Sequence, residues 1–158
     1  MSDIDPGVLA EIARQDHEEK QNEIAERLRF QTEFAQAALK SLMLVNGGAI
    51  LAILTFLGNS KARYSVFPIK LAFVCFIAGI VLVLFAYICA YFSQGHFMNV
   101  NVYERSNVQH RMAGLVSPND SSRFLTVGNR FLYGAIGSAV GSCISFGCGA
   151  FSALNGII

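Results

Sequence analysis

Three stretches of this chain carry no charge at all. Residues 41–57, 71–92 and 131–158 contain no Asp, Glu, Lys or Arg. Each is embedded in an apolar segment of about the 20 residues that a helix needs to cross about 30 Å of hydrocarbon. In lipid an open-ended segment satisfies its backbone only as a helix. No alternating pattern suggests a membrane barrel. The expected fold is therefore an all-α integral membrane protein. It has three transmembrane helices and a long amphipathic N-terminal helix continuous with the first span.

Charged residues make up 15% of the 158 residues, against about 25% in a soluble domain. They crowd into the segments between the apolar runs. Residues 1–40 hold five Lys/Arg and nine Asp/Glu. The organisation that follows is an acidic amphipathic cytoplasmic helix over 1–38, a first span over 39–57, a short external loop over 58–66, a second span over 67–92, a cytoplasmic connection over 93–129 and a third span over 130–155. This layout disfavours a compact water-soluble enzyme, and a net charge of +1 offers no case for nucleic acid.

The first helix is expected to start far from the bilayer. Asp5 suits an N-cap and Pro6 a first helical position. Between Pro6 and residue 57 there is no other proline, and glycine occurs only at Gly7, Gly47 and Gly48. Such a helix would reach roughly 75–80 Å at 1.5 Å per residue. Val8, Ile12, Ile24, Leu28, Ala35, Ala38 and Leu42 form a broken apolar stripe along it, interrupted around Gln15–Gln21. A stripe this thin needs a partner, because isolated helices gain most of their stability from packing. Glu23 and Arg27 make a supportive four-residue pair, Glu19 and Glu23 a repulsive one.

Pro68 suits the first turn of the second helix, and Tyr64, Phe67 and Lys70 look like interfacial anchors. In the second connection Ser117-Pro118-Asn119-Asp120 is rich in turn formers, and Asp120 or Ser121 is placed to cap the third helix. Nine Lys/Arg fall on the side of the N-terminus and the second connection, Arg130 included, against Lys61, Arg63 and Lys70 on the other. This bias predicts a multi-pass protein of a cell membrane, in a bacterial setting the inner one, with the N-terminus cytoplasmic. The match of Asn119-Asp120-Ser121 to a glycosylation sequon is discounted for that reason.

No ionisable residue occupies the middle of a span, which disfavours a proton- or ion-coupled pump. His17, His96 and His110 lie outside the apolar runs, which disfavours a haem anchor. No phosphate-binding loop or nucleophile elbow is present. His96, Glu104 and His110 do not match a known ligand spacing. Cys75, Cys89, Cys143 and Cys148 all sit in apolar runs and read as small hydrophobes with free thiols. No catalytic residue, metal or cofactor is expected.

Two features point to helix association. Gly137, Gly141, Ser145 and Gly149 recur every four residues in the third span. Beside them run Ala135, Ala139, Cys143 and Gly147, and also Gly134, Ser138 and Ser142. Small residues at this spacing let backbones approach closely in lipid. Asn46-Gly47-Gly48 in the first span is either a packing notch or a polar ring or hinge. The functional expectation is a self-associating membrane protein, as a homo-oligomeric pore or channel-like assembly. The alternative is a membrane anchor or scaffold whose N-terminal helix docks a soluble partner. Beyond the lipid bilayer, the expected partners are further copies of the chain and such a soluble protein.

Overall fold

The computed structural model describes residues 6–59, 64–115 and 120–157. Three α-helices hold nearly all of them: α1 (Pro6–Asn59), α2 (Val66–Met112) and α3 (Ser122–Gly156). Each contains a stretch long and apolar enough to cross a membrane. The all-α, three-span architecture with an N-terminal helix continuous into the first span is therefore the fold of this chain.

α1 is helical from Pro6, the first described residue, and Gly47 and Gly48 do not interrupt it. The expected cap, Asp5, lies outside the described residues. The chain divides into two compact units after Ala38. In the first, every described side chain from Arg14 to Ala38 is exposed. Arg27 pairs with Glu23 at 2.6 Å and Arg29 with Glu33 at 2.9 Å, each over one helical turn. Exposed pairs of this kind contribute only about 0.3–0.5 kcal/mol each. Ala35 and Ala38 of the apolar stripe are exposed, while the side chains of Val8, Ile12, Ile24 and Leu28 lie outside the described set.

The second unit is built on α2 and α3. Facing residues fall in reverse order along the two helices: Ile69 meets Gly156, Phe76 Gly149, Leu82 Gly141, Cys89 Gly134 and Phe97 Gly128. The pair is thus antiparallel. Its seam has a seven-residue period on both sides. On α3 the buried residues include Gly128, Ala135, Ser142, Gly149 and Gly156. On α2 they include Ala72, Gly79, Ala86, Ser93 and Val100, with Ile69, Phe76 and Val83 in the companion row. Seven residues in two turns is the spacing that keeps a seam facing its partner around a left-handed crossing. The glycines of α3 are the holes and the bulky residues of α2 the knobs. A Cβ on Gly149 would lie 2.8 Å from Phe76 Cε1, and one on Gly156 2.9 Å from Ile69 Cδ1. In lipid such close packing supplies the dispersion attraction that association depends on.

α1 joins this pair through residues 46–57. Ile53 is buried in a cluster with Ile69, Ala72 and Phe76, and Ala49, Ile50 and Leu57 pack around it. Asn46 meets Gly79 while Ile53, further along α1, clusters with the earlier α2 residues Ile69, Ala72 and Phe76, so α1 runs antiparallel to α2. Where α2 begins, Ser65 N–H donates to the Gly156 carbonyl at 3.0 Å, and Tyr64 bridges to Ile157.

α2 continues through most of the expected 93–129 connection. Residues 93–112 hold no proline and a single glycine, so nothing ends the helix before Met112. It stops at Gly114, whose φ of 71° takes the left-handed conformation. Gly114 N–H then donates to the Arg111 carbonyl at 3.1 Å and Leu115 N–H to the His110 carbonyl at 2.9 Å. This doubled bond is the Schellman closure that a glycine past the helix end allows. At the start of α3, Ser121 makes no side-chain cap. Asp120 does so instead: its carboxylate accepts from Ser122 N–H at 2.9 Å and from Ser122 Oγ at 2.8 Å.

Candidate functional site

Among the described residues, one strongly polar side chain of α1 enters the packed part of the second unit. Asn46 is completely buried. Its Nδ2 donates to the Leu42 carbonyl one turn back at 2.9 Å and to Ser142 Oγ on α3 at 3.3 Å. The amide lies flat against α2 at Gly79, where Cγ sits 2.7 Å from the position a Cβ would occupy. Gly79 therefore has no side chain because Asn46 fills its place. Asn46 Oδ1 is buried with no hydrogen-bond partner. It faces the Gly79 backbone, where Cα–H groups offer the weak interactions common between close helices. Asn46, Gly79 and Ser142 thus form a three-helix junction at one height along the helices, within the single chain.

Gly47 and Gly48 point elsewhere. A Cβ added at either would meet nothing within 4 Å. They floor a shallow groove on the outside of α1 that Lys40, Met43, Leu44 and Leu51 also line. The tripeptide 46–48 is thus split, with its amide turned inward and its glycines turned outward.

The four-residue row of α3 is split in the same way. A row of that spacing drifts around the helix, since four residues exceed one turn. Gly149 is buried under Phe76, Gly141 has Leu82 Cδ1 3.3 Å from its Cβ position, Ser145 is half-buried, and Gly137 is exposed with nothing within 4 Å. Gly147 is likewise exposed and open. From the neighbouring rows Ala135, Ser138 and Ser142 are buried, and Cys143 is exposed. Ser138 Oγ donates back to the Gly134 carbonyl at 2.8 Å.

In the C-terminal half of α2, an aromatic stack ties it to the N-terminal part of α3. Phe92 and His96 both stack on Phe131, at centroid distances of 5.5 and 5.8 Å, and Tyr103 stacks on Phe124 at 5.1 Å. Ser93 Oγ donates to the Gly128 carbonyl at 3.0 Å beside this stack. His96, Glu104 and His110 all lie on α2. Glu104 is exposed and His110 Nδ1 bonds the Ser106 carbonyl at 2.8 Å, so the three have separate environments. Among the described residues no group of three His, Cys, Asp or Glu could share a metal ion. All four cysteines are free thiols: Cys89 is buried, Cys75 half-buried, Cys143 and Cys148 exposed.

Gly79, Leu82, Phe76, Gly128 and Gly156 were not apparent from the sequence as site residues, nor was the seven-residue register that joins the last two to Ala135, Ser142 and Gly149. The signal was present as small residues seven apart on α3, hidden among three overlapping four-residue rows. No protein-family model, curated protein or solved structure matches this chain.

Proposed function

We propose that this chain is a small multi-span membrane protein that self-associates into a homo-oligomeric, channel-like assembly with its N-terminus in the cytoplasm. One observation carries the reading. Gly137 and Gly147 leave bare backbone on the outer face of α3, with nothing within 4 Å, although the protomer needs neither for its own packing. Bare backbone facing lipid gains nothing there, whereas against another helix it permits close approach. Exposed Val140, Cys143, Ile144 and Cys148 complete that face. Because Asn46 is used within the protomer, a pore in this reading is lined by the α3 face and not by an asparagine ring.

The test separates the two halves of the small-residue row. Gly137→Leu should leave the protomer folded but break a discrete oligomer in mild detergent, while Gly149→Leu should damage the protomer itself through Phe76. Ile144→Leu, which conserves volume, should do neither. An unaltered size distribution for Gly137→Leu would overturn the reading.

A second reading, a membrane anchor for a soluble partner, draws support from the fully exposed described side chains of residues 14–38. A monomeric protein that captures one soluble protein, and loses it when residues 1–38 are removed, would favour that reading over self-association.

A further inference from the structure

The outer groove of α1 is apolar along its length and carries one cation at its N-terminal end. Met43, Leu44, Gly47, Gly48 and Leu51 form the trough, and Lys40 stands at its head. The two glycines leave the trough open, since neither has an atom within 4 Å of its Cβ position.

The depth of Lys40 follows from the three-helix junction. Asn46, Gly79 and Ser142 share one height. Lys40 is six residues, about 9 Å, from that height. At the same level the neighbouring helices present Phe85 and Ile136, both about half exposed and both apolar. On α3 the first charge beyond that level is Arg130, about 9 Å further along the axis. Towards the opposite membrane face the first charge is Lys70, nine residues from Gly79. The two lysines are thus separated by about 22 Å of helix rise, less than the roughly 30 Å hydrocarbon thickness. A bilayer cannot keep both ammonium groups outside its apolar zone without snorkelling or local thinning. An exposed cation at that depth is stabilised by an anion brought to it.

From this we infer that the groove binds an anionic phospholipid, with its phosphate on the Lys40 ammonium and an acyl chain laid over Gly47 and Gly48. The occupant is chosen by the charge at the head of the trough. A second copy of α1 would place another Lys40 face on the same site in a parallel pair, like charge against like. A zwitterionic lipid offers the same tail with no net charge to complement the lysine.

The chain contains no tryptophan, so a single introduced one reports its own lipid neighbours. Leu44→Trp places the probe in the groove, where Leu44 is 75% exposed, and Val81→Trp places a control at the same height on α2, where Val81 is 58% exposed. The full chain is reconstituted in vesicles of phosphatidylcholine and phosphatidylglycerol, with one or the other lipid brominated on its tails. Quenching at Leu44→Trp should report about fivefold preferential binding of phosphatidylglycerol, the weight of one cation beside an anionic headgroup. Val81→Trp should report none. Adding Lys40→Gln should remove the preference, and Lys40→Arg should retain it. Equal quenching by both lipids at Leu44→Trp, a preference that survives Lys40→Gln, or weak quenching by either lipid because protein covers the groove would each overturn the inference.

Discussion

Gly79→Ala tests the three-helix junction with a single methyl group. The new Cβ would lie 2.7 Å from Asn46 Cγ and 3.0 Å from Nδ2, well inside ordinary van der Waals separation. The amide cannot simply swing away, because it is fully buried and held to Leu42 and Ser142. Relief requires a shift of about 1 Å, either of α1 away from α2 or of the amide away from Ser142. Overpacking of this kind costs about 1–3 kcal/mol, and breaking the interhelical hydrogen bond in lipid adds about 0.6 kcal/mol. The expected destabilisation is therefore about 2 kcal/mol, roughly thirtyfold in the folded-to-unfolded ratio. Asn46→Ala should cost less, about 1 kcal/mol, since it forfeits that same hydrogen bond and opens a small void but also removes an unpartnered buried oxygen. In the Asn46→Ala background the Gly79 methyl enters the vacated space, so its cost should fall close to zero. A double-mutant cycle should then return a coupling of about 2 kcal/mol. Unfolding in mixed micelles with rising denaturing detergent supplies the energies. A fluorophore pair on the exposed positions Leu54 and Val74 reports the separation of α1 from α2. The reasoning fails if Gly79→Ala lies within about 0.5 kcal/mol of the parent, the ordinary scatter of a neutral substitution. It also fails if the methyl costs the same with and without Asn46.

Other outcomes follow from the same geometry. Gly128→Val should destabilise the Gly128 end of the α2–α3 pair by about 1–3 kcal/mol, because a Cβ there already reaches within 3.0 Å of Phe97 and 3.3 Å of His96; hydrogen exchange confined to that end would show it. The two Ser122 hydrogen bonds hold the Asp120 carboxyl below the usual carboxylate range. The cap is therefore fully formed above the unfolded carboxylate pKa of about 4, and the first turn of α3 should fray as pH falls through the lower folded value. Asp120→Asn should remove that pH dependence, as amide NMR shifts of Ser122 and Arg123 would reveal. Reporter fusions at Ser2 and Ile158 should place the N-terminus in the cytoplasm and the C-terminus outside, and a cytoplasmic signal from the second would refute the topology. The intact unreduced protein should show the mass of four free thiols, and a loss of two hydrogens would reveal a bridge.

How far the fold could be read in advance depended on the kind of signal. The uncharged runs fixed three helices, because hydrocarbon admits few alternatives and a single Lys or Arg would have shown. Pro6 lies in α1, but the start expected there borders residues 1–5, which are outside the described residues. The length of α2 was less legible: polarity suggested a connection after Phe92, but polarity ends a span and not a helix, and no residue before Gly114 stops this one. The small residues of α3 were legible as a packing surface but not in their register. Three four-residue rows overlap there, and only the positions of Phe76, Ile69 and Phe97 on α2 select Gly149, Gly156 and Gly128 as the holes. Gly79 carried no local signal of its own. One glycine in an apolar run is common, and its reason lies across the interface in Asn46, a residue 33 positions earlier in the chain.

The seven-residue spacing shared by α2 and α3 constrains how this hairpin can change in length. One residue inserted into α3 before Gly149 turns everything beyond it by about 100°, which would carry Gly149 away from Phe76 and put the side chain of Cys148 where Phe76 now packs on bare backbone. Seven residues added at matching heights in both helices restore the seam and extend it by about 10.5 Å. Viable length variants of this antiparallel pair should therefore come in paired steps of seven, with the tip beyond Phe131 moving outward in increments of two helical turns while the junction at Asn46 stays where it is.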